Sequence, residues 1–309
     1  MGKVMIGGQA VIEGIMMKNE NQYAVAVRKP DKEIEVSVKP FHSKAENCKI
    51  LKFPIIRGVV NFIESLVVGI RTLTFSASFY EEEEEDSKKG NKEKKKSSET
   101  SEKAMMAGTI AFSLIFAIAL FMLLPAFVSG LLGNVIDSEW IIAILEGVIR
   151  IAIFLGYLFL ISRMEDIKRT FMYHGAEHKT INCLEQGKEL TVENIMGCSR
   201  FHKRCGTSFL FLIMIISILI FMWIRTDTMW LRLLLRLLLV PVIAGVSYEF
   251  IRYAGRHDSP IANVLSKPGL WLQRLTTIEP EPDMIEVAIK SVEGVFDWRA
   301  YLKEQQREN

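Results

Sequence analysis

The stretch His174-Gly175-Ala176-Glu177-His178 has the residue types and spacing of a chemical site. On a helix, residues four apart lie on one face, so His174 and His178 can present two imidazoles to one metal ion. Glu177 sits beside them and could take a proton from water held by that ion. The order H-x-x-E-H is also that of the inverzincin peptidases, which are soluble enzymes. The chemistry transfers on so short a match; the family does not. A second cluster, Cys198-Ser199-Arg200-Phe201-His202-Lys203-Arg204-Cys205-Gly206, offers His202 and Cys205 three residues apart. A third, near the end of the last apolar block, holds Glu249, Arg252, Arg256, His257 and Asp258. Glu13, flanked by apolar residues and Gly14, is a further candidate.

Each of these residues also has a plainer reading. His202 can be a basic residue near lipid headgroups and Cys205 a small buried thiol. Arg252 can anchor to lipid phosphate, or hold Glu249 or an anionic substrate. Glu13 can simply close a turn.

The elements that must position these groups are largely membrane elements. Half of the 309 residues are apolar, and they are concentrated in blocks. Blocks at about 105–128, 141–162, 208–224 and 230–253 are long enough to cross a hydrocarbon core of about 30 Å. The loop 129–140 has no Lys or Arg, whereas 163–207 has eight, from Arg163 to Arg204. The positive-inside rule therefore puts 163–207 and both termini in the cytosol, in a multi-pass protein of the cytoplasmic membrane. On that topology the long loop and the end of the last span reach the same face. They bring four of the five histidines there, and a set drawn from His174, His178, His202, Cys205, Glu249 and His257 could bind a divalent ion, zinc foremost. The four cysteines, Cys48, Cys183, Cys198 and Cys205, form no C-x-x-C pair and are expected as free thiols or ligands.

The fold class expected is an α-helical polytopic membrane protein of about four spans with a small N-terminal β-containing cytosolic unit. Residues 1–53 read as that unit: 23–28 and 33–38 alternate about a Lys29-Pro30-Asp31-Lys32 turn, as in a hairpin. The start shows no signal peptide or myristoylation pattern. Residues 54–80 read as an amphipathic interfacial helix opened by Pro54, because Arg57, Asn61, Glu64 and Arg71 interrupt its apolar face. A buried helix of the N-terminal unit is the alternative. Residues 81–103, an acidic run and then a basic one, read as a disordered charged linker. Residues 104–253 form the membrane domain, and 254–309 a cytosolic helical tail with a boundary at Pro268-Gly269. In that tail Ile285, Ala288, Ile289, Val292 and Phe296 make one apolar face for packing within the chain. Glu146 and Arg150 can pair on one helical face, and Arg232 and Arg236 can snorkel outward as anchors.

Several segments together resemble a known family: Gly7 to Met17, His174 to Lys179, Arg204 to Phe209, and Pro268-Gly269-Leu270-Trp271-Leu272-Gln273-Arg274-Leu275-Thr276-Thr277 followed by Glu279-Pro280. Their order and content are similar to the bacterial YqhQ-like, or DUF1385, family over nearly the whole chain. The resemblance implies a multi-span membrane protein, of a family labelled a predicted metal-dependent enzyme without an established reaction. Lys203 stands where related sequences suggest proline. The function expected is a metal-dependent membrane enzyme, a hydrolase with Glu177 as general base, acting at the cytosolic face. The alternatives are a scaffold or assembly factor with a structural metal, and a transporter. The partners expected are the bilayer and a substrate or protein on the cytosolic side. The net charge of +2 points away from nucleic acid.

Overall fold

A computed structural model describes residues 6–43, 50–88, 99–133, 135–224, 226, 228–256 and 260–308. The chain opens with four strands, β1 (Ile6–Val11), β2 (Gly14–Asn19), β3 (Gln22–Arg28) and β4 (Ile34–Pro40), in one antiparallel sheet of order β1-β2-β3-β4. The expected hairpin is β3–β4, with Tyr23 opposite Lys39 and Arg28 opposite Ile34. β2 was not separately foreseen. Its first residue, Gly14, is dictated by space: a Cβ there would lie 2.4 Å from the Ala26 carbonyl oxygen.

Among the described residues eleven α-helices follow: α1 (Pro54–Lys88), α2 (Glu99–Ile118), α3 (Leu124–Leu132), α4 (Glu139–Ile161), α5 (Glu165–Glu185), α6 (Val192–Met196), α7 (Gly206–Phe221), α8 (Met229–Arg256), α9 (Pro260–Thr276), α10 (Pro282–Glu293) and α11 (Trp298–Glu308). A π-helical turn, Ala119–Leu123, joins α2 to α3 just before Pro125. Proline removes an N–H and crowds the preceding turn, and the wider helix absorbs both effects. Four helical stretches are long and apolar enough to cross a membrane: Pro54–Tyr80, Ala104–Leu132, Glu139–Ile161 and Trp230–Tyr253. Thus 54–80, read from its charges as interfacial, also meets the length requirement. The third expected span is the 16-residue helix α7, about 24 Å long at 1.5 Å per residue.

The stretch expected as a linker is helical at both ends, since α1 runs to Lys88 and α2 starts at Glu99. Straight-chain Glu and Lys have good helical propensity, so a helix entering such a run need not stop at once. Residues 89–98 lie outside the described ones. The expected boundary at Pro268-Gly269 is also absent, because α9 continues through it. Gly269 serves close packing instead: a Cβ there would lie 2.4 Å from Ser208 Oγ.

The chain divides into two compact units. The first comprises Met1–Glu84, Leu160–Ile213 and Pro241–Asn309. Its sheet is buried on both faces, so the expected one-sided alternation gives way to near-continuous burial in β2 and β3. On one face Ile15, Met17, Ala24 and Ala26 pack with Tyr173 and Ala176 of α5 and with Met284, Ile285, Ala288 and Val292 of α10. The apolar face anticipated for α10 is thus used inside the chain. On the other face Val11, Met16, Tyr23 and Val25 meet Val68, Phe75, Phe79 and Tyr80 of α1. The N-terminal end of α1 touches α8: Arg57 pairs with Glu249 at 2.7 Å, and Asn61 donates to the Tyr248 hydroxyl at 2.8 Å. Their backbones nearly touch, since a Cβ on Gly58 would lie 2.7 Å from the Gly245 carbonyl oxygen.

The second unit comprises Glu85–Phe159 and Met214–Val240. Its helices expose large apolar side chains such as Phe112, Leu114, Ile115, Phe127 and Leu238, as a surface bathed in lipid requires. The chain is a polytopic α-helical membrane protein with a small N-terminal β-sheet.

Candidate metal centre

Helix α5 carries His174, Glu177 and His178, all within the first unit. Its buried side packs against the sheet and α10, and this packing orients the motif. Gly175 is fixed by contact: a Cβ there would lie 2.0 Å from the Ile278 carbonyl oxygen. The close approach lets the Ile278 N–H donate to the Phe171 carbonyl at 3.0 Å. It also brings the Thr276 carbonyl within 2.8 Å of His174 Nδ1.

His178 is held in the same manner, with Nδ1 2.7 Å from the Arg200 carbonyl. A carbonyl only accepts, so in its neutral form each imidazole carries its proton on Nδ1 and leaves Nε2 with a lone pair. The segment that supplies the Arg200 carbonyl is tied to α5. Buried Lys179 donates to the Met196 carbonyl at 2.8 Å, and Asn182 donates to the carbonyls of Ser199 and Phe201.

Cys205 completes a three-residue cluster. Its sulfur lies 3.3 Å from His174 Nε2, and one ligand atom from each of His174, His178 and Cys205 lies within 4.8 Å of the others. Cys205 immediately precedes α7 and accepts the Thr207 backbone N–H at 3.3 Å. The positive end of the helix dipole therefore faces the sulfur. Burial holds the His178 pKa below its usual value, and the neighbouring His174 and His202 add to this against a raising contact with Cys205. A neutral imidazole is the form that binds a metal.

Glu177 is buried against β1. A Cβ on Gly8 would come within 2.8 Å of its side chain, so glycine makes room for the carboxylate. Burial pushes the Glu177 pKa up to about 7, opposed by the nearby charge of His174 and a hydrogen bond from the Gly8 backbone. Glu177 Oε2 and Thr276 Oγ1 are buried oxygens without a hydrogen-bond partner among the described residues.

The other sequence candidates fall outside the cluster. His202 packs beside His178, with ring centroids 5.7 Å apart, but its Nε2 faces Glu185 Oε2 at 3.4 Å. Glu185 also pairs with Arg204. Glu249 pairs with Arg57 of α1 rather than with Arg252, and Arg252 is half-buried on α8. Glu13 occupies a φ of +48° between β1 and β2. It is held there by an ion pair to Arg169 and a 3.2 Å hydrogen bond from the Tyr173 hydroxyl, so it closes the turn and ties the sheet to α5. His257, Asp258 and Cys48 lie outside the described residues. Cys183, Cys198 and Cys205 are free thiols.

Three contributors were not named from sequence. Two are backbone carbonyls, of Thr276 and Arg200, which no side-chain pattern reveals. The third is Gln273, fully buried. It accepts the His202 N–H at 2.9 Å and donates to the His202 carbonyl at 2.8 Å and to Ser208 Oγ at 3.2 Å. A glutamine on the apolar side of α9 was the available signal. Glu185 was also readable, lying seven residues beyond His178 on the same helix face.

A family described as "Protein of unknown function (DUF1385)" matches residues 53–298. YqhQ of Bacillus subtilis (strain 168), named as an uncharacterized protein, is 35% identical over 302 residues, covering 97% of this chain and 95% of its own length. No solved structure matches. With a match over most of its length and a relative this similar from end to end, the chain belongs to the DUF1385 family.

Proposed function

We propose that this protein is a metal-dependent membrane enzyme, most simply a hydrolase, whose ion is held by His174, His178 and Cys205. One observation carries the reading: both histidines give Nδ1–H to a backbone carbonyl, at 2.8 and 2.7 Å, so both Nε2 lone pairs are directed at the same space as Cys205. Metal-binding histidines are oriented in this way by their outer-shell partners. Two nitrogens and a thiolate suit zinc, and three protein ligands leave a fourth position open, as catalytic zinc sites do. The ion would supply Lewis-acid polarisation of a substrate carbonyl or phosphoryl oxygen. Glu177, whose pKa lies near neutrality, would accept a proton from the attacking water and return it to the leaving group. Buried surroundings would keep bulk water from competing.

Parity supports a location at the cytosolic face. β1 and α10 both pack on α5, so the sheet, α5 and the C-terminal tail share one side of a bilayer. An even number of crossings must then separate β1 from α5. Three apolar helical stretches lie between them, 54–80, 104–132 and 139–161, so one of these does not cross. The polar positions Arg57, Asn61, Glu64 and Arg71 favour α1, which meets α8 near one end and the sheet along the other. Between α5 and α10 lie α7 and α8, which cross together. The basic content of 163–207 then makes the shared side cytosolic.

Elemental analysis of protein purified without chelator tests the reading. One equivalent of transition metal is expected, lost on His178→Ala. Metal-free protein that takes up no zinc would refute it. A second reading is a scaffold with a structural metal, favoured by the way the cluster joins α5, the 199–205 segment and the 276–278 segment. Glu177→Gln separates the two, because a scaffold retains function when the carboxylate becomes an amide and an enzyme does not. The transporter alternative predicts metal-ion flux in liposomes.

A further inference from the structure

The second unit holds a buried charged cluster that the metal reading does not use. Glu146 lies seven residues into α4, about 10 Å along its axis. It pairs with Arg150 at 2.9 Å and with Arg236 of α8, whose Nη2 is also at 2.9 Å. All three side chains are about one-twentieth exposed. Arg236, expected to snorkel outward, is therefore turned inward, because Glu146 offers it a carboxylate that lipid does not. Both guanidinium groups also lie over the Phe221 ring, at 5.2 and 5.1 Å, and Arg150 donates to Ser217 Oγ at 3.2 Å.

Two buried arginines against one carboxylate leave an excess positive charge, which is expensive in a low-dielectric setting unless something answers it. Beside the cluster is a cavity of about 400 Å³ lined by Glu139, Glu146, Phe221, Thr226, Arg232 and Arg236, among others. Two arginines face two glutamates on its wall, and Arg150, which lines a smaller adjoining void with Glu146 and Arg236, brings the cluster to three arginines against two glutamates among the described residues. Arg232 is tied to the Thr226 carbonyl at 2.8 Å through one nitrogen. Among the described residues, the Nε atoms of Arg150, Arg232 and Arg236 and the hydroxyl of Thr226 are buried with no hydrogen-bond partner. Two arginines and a threonine on the cavity wall, in a cluster with one more arginine than carboxylates, suit an oxyanion.

We propose that this cavity binds a phosphate group, with Arg232, Arg236 and Thr226 as its donors and Arg150–Glu146 as the support that holds Arg236 in place. Guanidinium groups match phosphate oxygens two at a time, which a lysine cluster would not. The volume accommodates a phospholipid headgroup as well as free phosphate, and the apolar walls from Ile142, Met222 and Ile224 would take the glycerol end of a lipid.

The test uses full-length protein in a maltoside detergent, titrated calorimetrically with inorganic phosphate, with dihexanoylphosphatidylglycerol and with dihexanoylglycerol, which lacks the phosphate. Binding of the phosphatidylglycerol alone supports the proposal and identifies a headgroup; comparable binding of inorganic phosphate supports it and identifies the free ion. Arg232→Gln leaves the Glu146–Arg150–Arg236 cluster intact and should weaken either ligand about tenfold, or 1.4 kcal/mol. Arg236→Gln should abolish binding, and circular dichroism checks its fold. No binding to the wild type overturns the proposal. Equal binding of dihexanoylglycerol overturns it, as does unchanged affinity in Arg232→Gln.

Discussion

Gly175→Ala is the sharpest probe of how the proposed metal centre is built, because it adds one methyl group and touches none of the proposed ligands. That methyl would lie 2.0 Å from the Ile278 carbonyl oxygen, where real contacts essentially never fall below 3.0 Å. The 276–278 segment must therefore retreat by about 1 Å. If the Thr276 carbonyl moves with it, its 2.8 Å hydrogen bond to His174 Nδ1 opens to about 3.8 Å, past the range of a hydrogen bond. Losing such an outer-shell partner typically costs about 10–100-fold in metal affinity, or about 1.4–2.7 kcal/mol. Overpacking should separately destabilise the metal-free protein by about 1–3 kcal/mol, offset in part by the roughly 1 kcal/mol helical preference of alanine over glycine. Zinc affinity by competition with a chromophoric chelator, and thermal unfolding with and without zinc, measure the two terms. Gly7→Ala is the control, since a Cβ there meets nothing within 4 Å. Zinc affinity within twofold of wild type in Gly175→Ala would show that the carbonyl does not orient His174.

Other outcomes follow from the same geometry. Removing any one ligand, by His174→Ala, His178→Ala or Cys205→Ala, should reduce zinc affinity by at least a hundredfold, whereas Glu177→Gln should keep the metal; equilibrium dialysis reads both. Burial raises the Cys183 pKa to about 12, so at pH 8 about one thiol in ten thousand is ionised and alkylation mass spectrometry of native protein should find it unmodified. Cys205 should become alkylated only after chelation. Gln273→Ala leaves the buried His202 N–H without its acceptor and should cost about 1–3 kcal/mol by chemical denaturation. On the proposed topology, in which α1 does not cross, a pegylation-accessible cysteine introduced at Asp86 should react from the same side as one at Glu189, and reaction from opposite sides would refute it.

The sequence made the membrane architecture legible because spans are set by length and apolarity alone, and α4 and α8 fall within a few residues of the blocks read for them. It exposed the cluster in part. His174 and His178 were visible through helical spacing and Cys205 through its position before an apolar run. Glu249 was drawn in by topology and then claimed by Arg57, because a nearby guanidinium answers a carboxylate more directly than an ion shared with distant groups. His202 was lost to Glu185 for the same kind of reason. The carbonyls that fix both imidazoles had no signature, since every residue has one. Pro268 suggested a helix end, but a helix may carry proline where neighbouring packing compensates. Arg236 was misread because snorkelling was weighed without knowing that Glu146 stood across from it.

The order in which the chain is made gives the sheet a further meaning. Its strands leave the ribosome before the helices, and α1 can cover one face soon afterwards. The other face waits for α10, and His174 waits for Thr276, both of which follow the apolar helices in the chain. Every apolar helix must therefore be inserted before the centre can close. A chain that stalls during insertion or is shortened at its C-terminus would keep its histidines but not their orientation, so metal capture would report completed assembly. The site is in this sense a checkpoint, assembled only by molecules that have been both inserted and finished.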